Sequence, residues 1–202
     1  MRAVEEWQGG QLLPRLPRTG ELPDRLREVF MVTVLQGPQA SEVTLRKQPL
    51  QTYGYQVYAT HGILDGTVPY IQEPALVLSQ VEVNSSEPQQ YGFLTMSEVL
   101  GLELNAEVVA LTACSTGVGK NVAGEGVMGL GRAFQYAGAR SVLMSLWSVD
   151  EESTVLFTER FFTHLQAGKE KLAALRQARA DVRQAGYEHP FFWAPFILVG
   201  ER

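Results

Sequence analysis

The chain has 202 residues, 45% hydrophobic and 19% charged, with a formal net charge of −5, which is enough for one sizeable core and typical of a globular domain. That charge argues against nucleic acid and against anionic membrane surfaces as partners. No apolar run approaches the ~18 residues of a membrane span, the first residues hold no apolar signal-peptide core, and the single cysteine, Cys114, excludes an internal disulfide framework and fits a reducing compartment such as the cytoplasm.

Residues 1–22 read as an N-terminal extension punctuated by Gly9, Gly10, Pro14, Pro17 and Gly20, with 11–22 an extended linker over the surface. A charged helix opens at Pro23. Residues 30–35, rich in β-branched side chains, predict a strand stopped by Gly37 and Pro38. Ser41 is placed to cap a short helix. Residues 55–60 predict a second strand, which delivers His61 and Gly62 at its end. Between 63 and 90 the pattern is less regular: 74–79 fits a strand and 84–90 a polar loop, together a hairpin inserted after the histidine. Thr95 and Glu98 have capping-box spacing and open a short helix.

Val108, Val109, Ala110 and Leu111 form an unbroken apolar run, the signature of a strand buried on both faces of a parallel sheet. It leads into Thr112, Ala113, Cys114 and a glycine-bearing loop. Val127, Leu130, Phe134 and Ala137 then mark one face of a helix closed by Gly138. Residues 141–147 predict the next buried strand. Ser148 and Glu151 form a second capping-box spacing before a helix that runs from about 151 to Gly168, with Phe157, Phe161 and Leu165 on one face. A further helix over 169–185 turns Leu172, Leu175 and Val182 inward and Arg176, Arg179 and Arg183 to a solvated side, and 196–199 is a last buried strand. Strands alternating with helices predict a parallel, three-layer α/β sheet.

Two strand ends carry chemistry. A lone cysteine is more often a small core hydrophobe than a nucleophile, but Cys114 follows a central strand, where open α/β sheets place their sites, and His61 follows another. If those strands are neighbours, their ends lie about 5 Å apart at the backbone. A thiol of pKa about 8.5 is only a few per cent thiolate at neutral pH. A nearby imidazole takes its proton and later protonates a leaving amine. The Gly62 N–H can approach a substrate oxygen closely, and with the Cys114 N–H it would make an oxyanion hole worth roughly 3–4 kcal/mol per donor. His164 reads as an ordinary helical residue and His189 as part of a turn before Pro190. Neither has metal-ligand spacing with Cys114, so no metal site is expected. Gly124, Gly126 and Gly129 satisfy a dinucleotide-binding spacing, but they lie well past the strand and inside the predicted helix, where they more plausibly allow close packing on the sheet.

The chain resembles the CHAT domain, a caspase-like cysteine-peptidase family related to separase and caspases. The resemblance rests on Val57-Tyr-Ala-Thr-His-Gly62, Leu111-Thr-Ala-Cys-Ser-Thr-Gly117, Gly124-Glu-Gly-Val-Met-Gly-Leu-Gly-Arg-Ala-Phe134, Tyr136-Ala-Gly-Ala-Arg-Ser-Val142, Ser145-Leu-Trp-Ser-Val-Asp150 and Phe192-Trp-Ala-Pro-Phe-Ile-Leu-Val-Gly200. It implies a caspase-like three-layer αβα sandwich over 23–202, with a mostly parallel sheet and a hairpin insertion after the histidine strand. It implies His61 as catalytic base and acid, Cys114 as nucleophile, and hydrolysis of a peptide bond through a thioester, with no metal or organic cofactor. Asp150 would line the pocket for a basic side chain before the cut, or cap the following helix, two roles that are compatible. Trp147 would wall that pocket or belong to the core. The expected partners are a protein or peptide substrate and a regulatory tetratricopeptide-repeat region or protein. The alternative is a catalytically silent scaffold of the same fold.

Two features depart from the family pattern. The fold normally begins with a strand before its first helix, and residues 1–22 hold none. No ~34-residue self-similarity marks a tetratricopeptide array in this chain. In addition, Thr112 stands two before the cysteine, where some metacaspase-like relatives carry an acidic residue for basic substrates.

Overall fold

The computed structural model describes residues 15–63, 71–79, 92–112 and 123–201. The apolar run at 108–111 is an inner strand because both of its faces are covered: Val109 and Leu111 enter one core, Val108 and Ala110 the other. The main sheet runs in the order β1 (Tyr55–Tyr58), β5 (Val108–Leu111), β6 (Ser141–Ser145), β7 (Phe196–Gly200). β1, β5 and β6 are parallel, and β7 lies antiparallel to β6. The sheet is therefore mostly parallel, and its last strand departs from the all-parallel expectation because two helices, α5 (Glu151–Gln166) and α6 (Lys171–Gln184), separate it from β6: the second returns the chain, through the short α7 (Pro190–Trp193), to the edge where β6 ended.

Helices cover both faces. On one side α4 (Ala123–Tyr136) packs Leu130, Ala133 and Phe134 onto Val109, Val142 and Met144, with α2 (Glu42–Arg46) and α3 (Met96–Leu100) alongside. On the other, α5 (Glu151–Gln166) and α6 (Lys171–Gln184) bring Phe157, Phe161, Ala178 and Val182 against Val108, Leu143 and Phe196. The glycines of the dinucleotide-like spacing lie inside α4, as expected. At Gly131 a Cβ would stand 2.1 Å from Met144 Cε, so the missing side chain lets the helix approach the sheet. Gly138 has φ +115°, and a Cβ there would stand 2.1 Å from the Leu104 carbonyl oxygen, which makes it the helix terminator that the pattern predicts. No helix among the described residues is long and apolar enough to cross a membrane.

The insertion after His61 is a small antiparallel sheet rather than a lone hairpin, made of β2 (Gly62–Ile63), β3 (Ala75–Val77) and β4 (Phe93–Thr95) in that order. β4 leads directly into α3 through the predicted capping box: Thr95 Oγ1 accepts from Glu98 N–H at 3.3 Å, and Glu98 accepts from Thr95 N–H at 2.8 Å. Ser41 caps α2 in the predicted manner.

Four local expectations are corrected. Residues 31–36 are extended but belong to no sheet, because no strand among the described residues lies within ladder reach of them. Residues 18–22 are not a surface linker: a 3₁₀ turn over Arg18–Glu21 leads into α1 (Leu22–Arg27), the charged helix expected from Pro23, Leu22 and Leu26 are buried, and Thr19 N–H donates to Glu151 at 2.8 Å. That bond occupies Glu151, and the cap of α5 is Asp150 rather than Ser148. Arg179 is half-buried and donates to the Phe196 carbonyl. Burial pushes its guanidinium below its ordinary value.

Candidate active site

The histidine is held by its backbone. β1 ends at Tyr58, and on the far side of His61 the chain enters β2. Val77 N–H donates to the His61 carbonyl at 2.8 Å, and Thr60 Oγ1 donates to the Val77 carbonyl. Val77 thus grips the residues on both sides of the turn, and His61 is buried, 7% exposed. Gly62 pairs with Leu76 across the small sheet. Because the flanking bond joins His61 to Val77, this is a pair whose own backbone groups point away from the partner strand. The Gly62 N–H is directed to the side opposite β3.

The cysteine strand lies beside this one. β1 and β5 pair in parallel, and Tyr58 is the register partner of Leu111. His61 lies three residues beyond Tyr58, and Cys114 three residues beyond Leu111. Thr112 is buried, 4% exposed, and Cys114 lies outside the described residues. Tyr58 supports the same end of the sheet: its ring meets Phe134 at 5.1 Å, its hydroxyl donates to Gln56 Oε1 at 3.2 Å, and burial pushes the phenol far above its ordinary value.

β6 runs parallel to β5 and ends at the same edge of the sheet. Beyond it Trp147 is 37% exposed and donates its indole N–H to the Phe191 carbonyl at 3.2 Å, so it lies over the α7 segment and is not core. Asp150 caps α5 through Oδ2, which accepts from Ser153 N–H at 2.9 Å. This helix cap is the structural role foreseen for it.

The profile of the CHAT domain matches residues 2–201, essentially the whole chain. The chain belongs to the CHAT-domain family. It is 36% identical over 119 residues to Tetratricopeptide repeat protein 28 of Homo sapiens and 33% identical over 124 residues to the protein of that name from Mus musculus. The matched regions are 58% and 60% of this chain, but only 5% of each relative.

In this CHAT domain the tertiary structure brings His61, the end of the cysteine strand and the segment bearing Trp147 and Asp150 to one sheet edge. Of the other two histidines, only His189 lies on a segment that Trp147 covers. His164 joins α5 to α6 through a 2.6 Å contact with Asp181, and His189 caps α7, accepting from Phe191 N–H at 3.2 Å. Sequence reasoning missed Thr60 as a positioning residue. Its signal was a hydroxyl directly before the histidine, but its partner, Val77, is unreadable without the hairpin register.

Proposed function

We propose that this CHAT domain is a cysteine endopeptidase in which His61 serves Cys114. The observation that carries the reading is the β1–β5 register: the two residues follow neighbouring parallel strands by the same number of positions. His61 accepts the thiol proton, and the Cys114 thiolate attacks the scissile carbonyl carbon. The carbonyl oxygen becomes an oxyanion that meets the N–H groups of Gly62 and Cys114. Collapse breaks the C–N bond, the His61 imidazolium protonates the leaving amine, and a thioester remains. Water then gives His61 a proton as its oxygen attacks the thioester carbon, the C–S bond breaks as that proton returns to sulfur, and the carboxylic acid product loses its remaining proton to solvent. No cofactor takes part.

Asp150 caps α5 through one carboxylate oxygen, and a carboxylate has lone pairs for a second cation-bearing partner. We assign it the recognition of a basic substrate side chain, with Trp147 as the wall beside it. The reading assumes a reducing compartment, the cytoplasm, in which a thiol nucleophile stays reduced. The relatives are named for tetratricopeptide repeats, and regulation by such a region is the partner relation we assign. The test is labelling with a thiol-reactive peptide probe ending in arginine. Wild type should label with a rate that rises between pH 5 and 9, Cys114→Ala should not label, and His61→Ala should label at least tenfold more slowly. Equal, pH-independent labelling of wild type and His61→Ala would sink the dyad and leave the scaffold alternative.

A further inference from the structure

Arg25, Arg46 and Arg140, on three different parts of the surface, each meet a glutamate at 3.0 Å or less. The arginines of α6 do not. Arg176, Arg179 and Arg183 stand at i, i+3 and i+7 on that helix, and none has a carboxylate partner among the described residues. Asp181, the one acid within α6, is engaged with His164 of α5 and with Gln177. The three guanidinium groups span about 10 Å of helix. Two of them are held in place: Arg183 lies over the Trp193 ring, 5.2 Å from its centroid, and Arg179 donates to the Phe196 carbonyl.

Arg176 and Arg183 are exposed, and a guanidinium stacked on an indole face keeps its N–H fork free at the edge for a carboxylate. Arg179 is half-buried, its Nε–H is buried without an acceptor among the described residues, and burial pushes its guanidinium below its ordinary value. A partly desolvated cation without a counter-charge is destabilising, and a carboxylate arriving beside it relieves that penalty. Ala173 and Ala180 flank Arg176 at i−3 and i+4 on the same outer face. Small side chains there let a second helix approach closely, with its i, i+4 and i+7 positions over the arginines. The net charge of −5 and the short basic face disfavour nucleic acid, which calls for a longer basic surface. We propose that the outer face of α6 docks an acidic helix of a partner protein, whose carboxylates pair with Arg176, Arg179 and Arg183. The inference is independent of the peptidase reading.

The probe is a fluorescein-labelled peptide of three Glu-Leu-Ala-Ala-Glu-Ala-Gln heptads, titrated into the 202-residue chain. Saturable binding is expected by anisotropy, with affinity falling at least fivefold between about 50 and 150 mM salt. Amide shifts on binding should centre on α6. Arg176→Glu combined with Arg183→Glu should weaken binding at least tenfold. Lys47→Glu combined with Arg132→Glu, an equal charge change at exposed sites elsewhere, should leave it within twofold. Two control peptides need no change to the protein, so they decide the matter even if a variant does not fold. One has glutamine for every glutamate, the other the same composition with its glutamates spread around the helix, and each should bind at least tenfold more weakly. Absence of saturable binding overturns the proposal, as does equal binding of either control peptide or an equal loss in both variant pairs. So does tighter binding of a single-stranded oligonucleotide, which would make the face a phosphate-backbone site.

Discussion

The two outer edges of the main sheet differ in what faces them. At β7 the Leu146 N–H donates to the Pro195 carbonyl at 3.0 Å, which turns the backbone groups of Phe196 outward. There Arg179 meets the Phe196 carbonyl, and the Phe196 ring stacks on Phe157 with centroids 3.8 Å apart. A charged side chain on a strand edge blocks further pairing. At β1 the outward groups of Tyr55 and Val57 face a cleft lined mainly by apolar side chains, Leu22, Leu26 and Leu50 among them. One edge meets a charged side chain, and the other faces a mainly apolar cleft. The site lies between them: β1 leads to His61, and β6, the neighbour of β7, leads to Trp147 and Asp150.

Breaking the finished edge should have the largest effect. Phe196→Ala removes a fully buried ring from between the sheet and α5, and should cost about 3–5 kcal/mol in chemical denaturation. A smaller loss, about 1–3 kcal/mol, is expected for Arg179→Met, which keeps the aliphatic stem but removes the donor to Phe196. If the contrast between the edges is right, Arg179→Met also raises amide exchange in β7 while β1 exchange is unchanged.

A pH profile sharpens the same comparison through α6, the helix that carries Arg179. Burial works against the Asp181 charge, but hydrogen bonds from His164 and Gln177 outweigh it and hold the carboxyl below its ordinary value. A carboxyl depressed in the folded state stabilises above its unfolded pKa, and that contribution is lost as pH falls through the folded value. Asp181→Asn should therefore destabilise the chain at neutral pH, and the gap to wild type should narrow as pH falls below the ordinary carboxyl range, through the lowered folded value. A gap that persists under acid would show that the loss is packing and not charge.

The smallest expected effect separates the two roles of Asp150. Asp150→Ala should cost about 1 kcal/mol through the lost cap, whereas Asp150→Asn retains a capping oxygen and should stay within a few tenths. If the carboxylate reads a basic substrate, Asp150→Asn should still lower labelling by arginine-ended probes relative to neutral ones. Unchanged probe preference would leave Asp150 with the cap alone.

Much of the architecture was legible locally. The unbroken run at 108–111, the Thr95–Glu98 box, the Ser41 cap and the glycine at 138 each act through neighbours a few residues away, so pattern and structure agree. The candidate site residues were legible by their place in the chain: His61 follows the strand β1, and Cys114 comes after the apolar run of β5. The misreadings have one cause. Residues 31–36 have strand composition, yet a strand exists only where another lies beside it. β7 has the pattern of its parallel neighbours, and only the return of the chain through the pair α5 and α6 sets its direction. Arg179 sits on a charged stripe of α6, and the outward carbonyl of Phe196 draws it in. β4, three residues long, is too short for a period-2 pattern and exists because β3 pairs with it.

The sequence by itself determined the buried strands, most helix limits, the family and the residues able to do chemistry, because these depend on side-chain type and short-range spacing. The tertiary structure alone decided that β1 and β5 are neighbours in register, that Val77 fixes the backbone around His61, and that Arg179 meets the β7 edge while a mainly apolar cleft borders β1. Those depend on hydrogen bonds between segments tens of residues apart, whose pairing no local pattern encodes.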